Sequence, residues 1–230
     1  MAEIIVALDM QSGREALALL DRLTDARWVK VGSILFTREG PRLVEALRRR
    51  GLEIFLDLKW HDIPNTVVGS VAAARELGVA MATVHTLGGL PMLRAAQEAA
   101  GGALALVGVT VLTSHDDASL GQVLGRPDVA ASDEVLRLAG TAADAGLAGV
   151  VCSPREVRRV RSELPASARI VVPGIRRPVD PPDDQRRTAT AAEAVRAGAT
   201  HLVVGRPVIA APDPARALAE LREEARCDAD

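Results

Sequence analysis

Cysteine occurs only twice in this 230-residue sequence, at Cys152 and Cys227. Cys227 stands in the polar terminal stretch RCDAD (226–230), a tail expected to fray, so a structural disulfide is not expected. Both read as free thiols of a reducing compartment. The opening residues, MAEIIVALDM, lack a basic region followed by a long apolar stretch, and the longest apolar run, from Gly101 to Leu112, is too short to span a bilayer. The expected location is the cytoplasm, neither secreted nor in a membrane. Charge of one sign is also missing: 28 basic residues face 30 acidic ones, for a net charge of −2. No electrostatic footprint for nucleic acid or an anionic membrane follows, and the expected partner is a small molecule. Lysine is nearly absent, since all but Lys30 and Lys59 of the basic residues are arginine. Arginine does not readily give up a proton, whereas the pKa of an ammonium responds to its surroundings. Two lysines could be leftovers on a solvated face, so their placement decides.

With 48% hydrophobic and 25% charged residues, the chain has the composition of a folded globular domain, and its length suits one domain over 1–230. Short aliphatic runs alternate with segments of helical period in eight pairs. The strand candidates are 4–9, 28–32, 53–58, 81–85, 104–112, 148–151, 169–172 and 201–205. The helix candidates follow them at 12–23, 39–50, 64–77, 90–100, 132–145, 154–163, 190–197 and 213–225. Several are opened by proline or an acidic residue, and Gly51, Gly78, Gly101, Gly146 and Gly198 close five of them. A doubly wound open sheet can use a similar alternation, but eight β-α units without a linker favour a closed (β/α)8 TIM barrel of class α/β. Chemistry in that architecture sits at the carboxyl ends of the strands.

The third strand ends in DLKWHD (57–62). Residues two apart on a strand share a face, so Asp57 and Lys59 point the same way. If Leu56 and Leu58 face the helices, Phe55, Asp57 and Lys59 face the barrel axis, and the same parity turns Asp9 and Lys30 inward. From the Asp and Lys content of the chain, a D-x-K-x-x-D string is expected in roughly one random chain in a hundred. At the other end of the chain, Gly205 and Arg206 after the eighth strand offer close backbone approach and a bidentate contact to a phosphate. The Pro-rich, charged stretch 173–187 has no regular pattern and reads as a lid loop.

The ordered set ALD (7–9), VKVG (29–32), FLDLKWHDIPNTV (55–67), TVH (83–85), PGIR (173–176), DQRR (184–187) and VVGRPV (203–208) resembles the bacterial orotidine 5′-phosphate decarboxylase family across the whole barrel. The resemblance implies removal of CO2 from orotidine 5′-monophosphate to give UMP in de novo pyrimidine synthesis, without metal or organic cofactor, by a homodimer with shared sites. It implies catalysis by an alternating network of Lys30, Asp57, Lys59 and Asp62, with Asp62 reaching into the neighbouring subunit. Asp9 and Lys30 would contact the ribose, and Thr66 would join the shared site. Arg176, Gln185, Gly205 and Arg206 would hold the phosphate. Thr113 would meet the pyrimidine, although Ser114 stands next to it. For His61 and His85 a structural role beside the motif is expected. His201 belongs at the opposite, stabilising rim, and Trp28 and Trp60 read as packing residues.

Two other readings stand beside this one. A Mg2+-dependent sugar-phosphate decarboxylase or aldolase of the same superfamily carries a similar D-x-K-x-x-D, but has an acidic residue where this chain has Lys30, which would repel a divalent cation. A catalytically silent barrel that merely binds a nucleotide phosphate is the other, since fold alone does not prove function.

Overall fold

A computed structural model describes residues 2–177 and 187–226. Eight parallel strands pair in chain order and close on themselves: β1 (Glu3–Ala7), β2 (Trp28–Gly32), β3 (Glu53–Trp60), β4 (Met81–His85), β5 (Ala105–Val109), β6 (Gly149–Val151), β7 (Arg169–Val172) and β8 (His201–Val204). β8 returns to β1 with Ile5 opposite Val203. Strand alternation divides the apolar residues into two cores. Ile5, Ala7, Phe55, Met81, Val107, Val171 and Val203 fill the barrel. Ile4, Val6, Leu8, Ile54 and Leu56 point outward and pack under the helices. The parity expected for the first and third strands is therefore the observed one.

All eight expected strands are present, with ends shifted by a few residues. The expected helices are also present, most of them shorter than their periodicity implies, because the outer turns lack intrahelical partners. They are α1 (Gly13–Leu20), α3 (Pro41–Arg49), α4 (Pro64–Glu76), α5 (Gly89–Ala100), α7 (Ala131–Asp144), α8 (Val157–Glu163), α9 (Ala191–Arg196) and α11 (Pro214–Glu224). Proline occupies the first turn of α3, α4 and α11, where its missing N–H leaves no bond unmade. Three short helices escaped the sequence reading: α2 (Ser33–Glu39), α6 (Asp117–Leu124) and α10 (Arg206–Ile209). The helix expected at 39–50 is α3, and α2 lies ahead of it, the two being separated at Gly40, whose φ of 61° ends α2 and starts α3. α6 is opened by a capping box between Asp116 and Ser119. None of the helices among the described residues is long and apolar enough to cross a membrane.

The amino rim of the barrel is built for stability. Trp28 and His201 meet edge to face with ring centroids 5.6 Å apart, and Thr200 Oγ1 lies 2.8 Å from His201 Nδ1. Burial, with a smaller contribution from the Arg169 guanidinium, lowers the His201 pKa from 6.5 to about 4. The unfolded chain therefore binds a proton at higher pH than the folded one. This contribution to stability is complete above about pH 6.5 and is lost as pH falls towards 4. Between pH 7 and pH 5 the loss from His201 is on the order of 1–2 kcal/mol. Because His85 is shifted in the same direction, urea unfolding at the two pH values should show a larger total drop, of which His201→Gln should remove about 1–2 kcal/mol; an unchanged pH dependence in the variant would contradict the assignment.

Candidate active site

The carboxyl rim brings together residues from seven of the eight units around one cavity of about 470 Å3. Asp9 lies just past β1 and Lys30 is in β2. Asp57 and Lys59 close β3, while Thr113 follows β5. Arg176 follows β7, and Gly205 and Arg206 follow β8; all of these line the cavity. Of the two neighbours Thr113 and Ser114, Thr113 lines the cavity, whereas Ser114 is exposed and is not among the lining residues.

The charged groups form a chain of alternating sign. Lys30 Nζ donates to Asp9 Oδ1 at 2.8 Å and sits 3.7 Å from Asp57 Oδ2. Asp57 Oδ1 accepts from Lys59 Nζ at 2.8 Å. The side chains of Lys30 and Asp57 are only 11% and 14% exposed, so the pairing is what makes their burial affordable in a medium that disfavours an isolated charge. Gly32 makes room for it: a Cβ there would stand 3.0 Å from Lys30 Nζ.

Asp57 and Lys59 do not reach the mouth on a regular strand. The β3–β4 ladder runs in register at Leu56↔Ala82 and resumes at Trp60↔Val84, with a shift between. Lys59 has a φ of 53°, and it is the one non-glycine residue of positive φ among the described residues. Such a conformation costs on the order of 1–3 kcal/mol and persists where the surroundings over-determine it.

Two expected residues lie elsewhere. Asp62 and Thr66 do not line the cavity and both are exposed. Asp62 Oδ1 accepts the Ile63 N–H at 2.6 Å, and Thr66 sits in the first turn of α4. Gln185 and most of the expected lid lie outside the described residues, as does Cys227. His61 and His85 stack with centroids 5.5 Å apart. Burial first, then the positive charge of His61 and Lys59, lowers the His85 pKa to about 4; it is a neutral ring beside the motif.

The sequence reading passed over three groups. Cys152 lines the cavity as a free thiol whose pKa burial pushes well up, keeping it neutral. Thr83, fully buried, contacts both Asp57 and Lys59. Arg187, at the end of the expected lid, donates to Glu156 Oε1 at 2.8 Å and to the Leu112 carbonyl at 3.0 Å. Glu156 also accepts from Ser153 Oγ. The DQRR string contained Arg187, but its partner 31 residues away carries no motif.

A closed parallel barrel with alternating ammonium and carboxylate groups at its carboxyl rim, and arginines beyond the seventh and eighth strands, defines a class: a barrel enzyme with a preorganised charge cluster in a single site. Within that class, the model of the Orotidine 5′-phosphate decarboxylase / HUMPS family matches residues 2–221. The chain belongs to that family. It is 52% identical to the orotidine 5′-phosphate decarboxylase of Halorhodospira halophila, across 96% of this chain and 94% of that protein. It is 50% identical to the protein of the same name from Alkalilimnicola ehrlichii, across 97% and 96%. The crystal structure of orotidine 5′-phosphate decarboxylase from Lactobacillus acidophilus superposes with a TM-score of 0.87 at 36% identity, covering 99% of this chain and 100% of that one.

The Arg187–Glu156 pair ties the chain after β7 to the segments after β5 and β6. With both side chains under a tenth exposed, Arg187→Met should strand a buried carboxylate and cost roughly 3–5 kcal/mol in urea unfolding. Adding Glu156→Gln should restore about half of that loss. A single variant as stable as the parent would show that the pair is not needed.

Proposed function

We propose that this chain decarboxylates orotidine 5′-monophosphate to UMP in pyrimidine biosynthesis, with Lys59 as the proton donor. The observation that carries the reading is the ammonium of Lys59 at 2.8 Å from the Asp57 carboxylate in the wall of the principal cavity. Breaking the bond between the ring carbon and CO2 leaves the electron pair in the plane of the pyrimidine, where the ring π system cannot delocalise it. A fixed positive charge at that point stabilises the developing carbanion. The same group then delivers a proton to the ring carbon as a general acid. Asp57 lies beside the departing carboxylate, and that repulsion ends as CO2 leaves. Asp9 and Lys30 take ribose hydroxyls, and Thr113 meets the pyrimidine.

Arg176, Arg206 and the backbone at Gly205 take the phosphate, with Gln185 closing from the lid. A Cβ at Gly205 would meet Asp9 Oδ2 at 3.6 Å and Ala7 Cβ at 3.7 Å. Those are ordinary contacts, so packing alone does not demand glycine there, and approach of a ligand to the backbone gives the reason. Phosphate binding far from the ring can be used to stabilise the transition state through lid closure. The position between the carboxylates of Asp9 and Asp57 is filled by the ammonium of Lys30, which argues for chemistry without a divalent cation in that place.

Asp62 and Thr66 serve the site of a second copy in a homodimer. Their absence from the lining of their own cavity supports this, as do the exposed apolar side chains of Ile34, Ile63 and Leu87, which follow the ends of β2, β3 and β4. The free thiol of Cys152 fits a cytoplasmic enzyme.

Chelator-treated protein incubated with orotidine 5′-monophosphate should consume its ultraviolet absorbance; no change would refute the reaction, and activity that disappears with the chelator would favour a metal-dependent relative. Lys59→Arg keeps charge but should lower turnover by roughly a thousandfold, and an Arg variant working within a few-fold of the parent would remove Lys59 from the donor role. Mixing Asp62→Ala and Lys59→Ala chains should regain activity in hybrid dimers that hold one intact site. Verified hybrids without activity would rule out the shared site.

A further inference from the structure

We propose that Thr83 is a positioning residue for the reaction, acting through the backbone of Lys59 and the carboxylate of Asp57. The inference rests on the proposed decarboxylation and adds a residue to it. Where β3 and β4 lose register, Asp57, Leu58 and Lys59 fall between the pairs Leu56↔Ala82 and Trp60↔Val84, and Thr83 alone faces them from β4. Three residues against one cannot complete a parallel ladder, so a backbone donor is left over. The hydroxyl of Thr83 takes it: the Lys59 N–H donates to Thr83 Oγ1 at 2.8 Å. The same hydroxyl has one proton to give, and it donates to Asp57 Oδ1 at 3.1 Å.

One side chain thus holds the two groups on which the chemistry turns. The first bond fixes the peptide of Lys59 at its positive φ of 53°, a conformation that an L residue leaves when nothing requires it. Relaxation of that peptide would swing the lysine stem and carry the ammonium away from the ring carbon. The second bond orients the carboxylate oxygen that also receives Lys59 Nζ. Thr83 is fully buried and does not line the cavity, so it touches no substrate and acts only through these neighbours. Valine has nearly the same shape and neither bond, so it removes the hydroxyl's donor and acceptor while keeping the branched side chain.

The test uses full-length Thr83→Val, Thr83→Ser and Thr83→Cys chains, with kcat and KM for orotidine 5′-monophosphate, the Kd for UMP, and unfolding by circular dichroism. The valine variant should lose at least about tenfold in kcat, with KM and the UMP Kd within about threefold, because a displaced ammonium harms the transition state more than the bound ground state. Serine, which keeps both bonds, should stay within about threefold of the parent. Cysteine, a weak donor and acceptor, should fall between them and serves if the valine chain does not fold. The proposal is overturned if valine or cysteine matches the parent, if serine is as impaired as valine, or if the loss appears in KM alone. Failure of both valine and cysteine chains to fold would assign Thr83 a purely structural part. A parent without turnover would sink the decarboxylation reading itself, whereas an active parent with an equally active valine variant sinks only the role of Thr83.

Discussion

The carboxylate of Asp57 accepts from two directions at once, with Lys59 and Thr83 on one oxygen and the Lys30 ammonium 3.7 Å from the other. A group that is mostly enclosed by protein stays charged only if its field is answered locally, and here two cations and a hydroxyl answer it. Asp9 then balances Lys30. The order of charges along the mouth, negative, positive, negative, positive, answers the two enclosed charges, Lys30 and Asp57, from both sides. Removing Lys30 or Asp57 would leave the other, enclosed as it is, with a field only partly answered. That interdependence is also what presents an ammonium in a fixed place, where a reaction that generates negative charge can use it without first rearranging solvent.

The barrel supplies the rigidity on which this order depends. β1, β2 and β3 are consecutive neighbours, with Ala7 opposite Lys30 and Lys30 opposite Phe55. The inward residues below the charged layer are apolar and closely packed. Side chains in such a layer sit on strands held from both sides, which places them more exactly than loops would. The two rims divide the work. Trp28 and His201 close the amino end with an apolar and aromatic contact, while the carboxyl end carries the ionised groups.

Much of this was legible in the sequence because it follows from period two and period 3.6. The eight strands, the inward set of Asp9, Lys30, Asp57 and Lys59, and the glycine and arginine after the eighth strand are all local patterns. The strand rule placed Asp57 and Lys59 on one face, and they do meet. Yet the strand between them is irregular, with Lys59 at positive φ, so the simple alternation succeeded at a place where the backbone departs from it. Thr83 and the Arg187–Glu156 pair were hidden for a different reason. Their meaning lies in contacts across 24 to 31 residues, and a threonine in MATVH or a glutamate in PREV looks like any other. The short α6 was missed because its eight residues carry too little apolar period, although its cap residues Asp116 and Ser119 wrote its start plainly. Asp62 shows the limit of a single chain: its neighbours inside the chain explain its turn and not its charge.

The near-total replacement of lysine by arginine leaves the chain with two side-chain amines, and the fold gathers both into one pocket. In most proteins an amine-directed dye, cross-linker or solid support spreads over the outer surface and spares the interior. Here the same chemistry has no lysine to find except in the charge cluster itself. Lysine-directed conjugation of this protein is therefore conjugation at the barrel mouth, and, the α-amine apart, a reagent aimed at amines becomes a probe of that place.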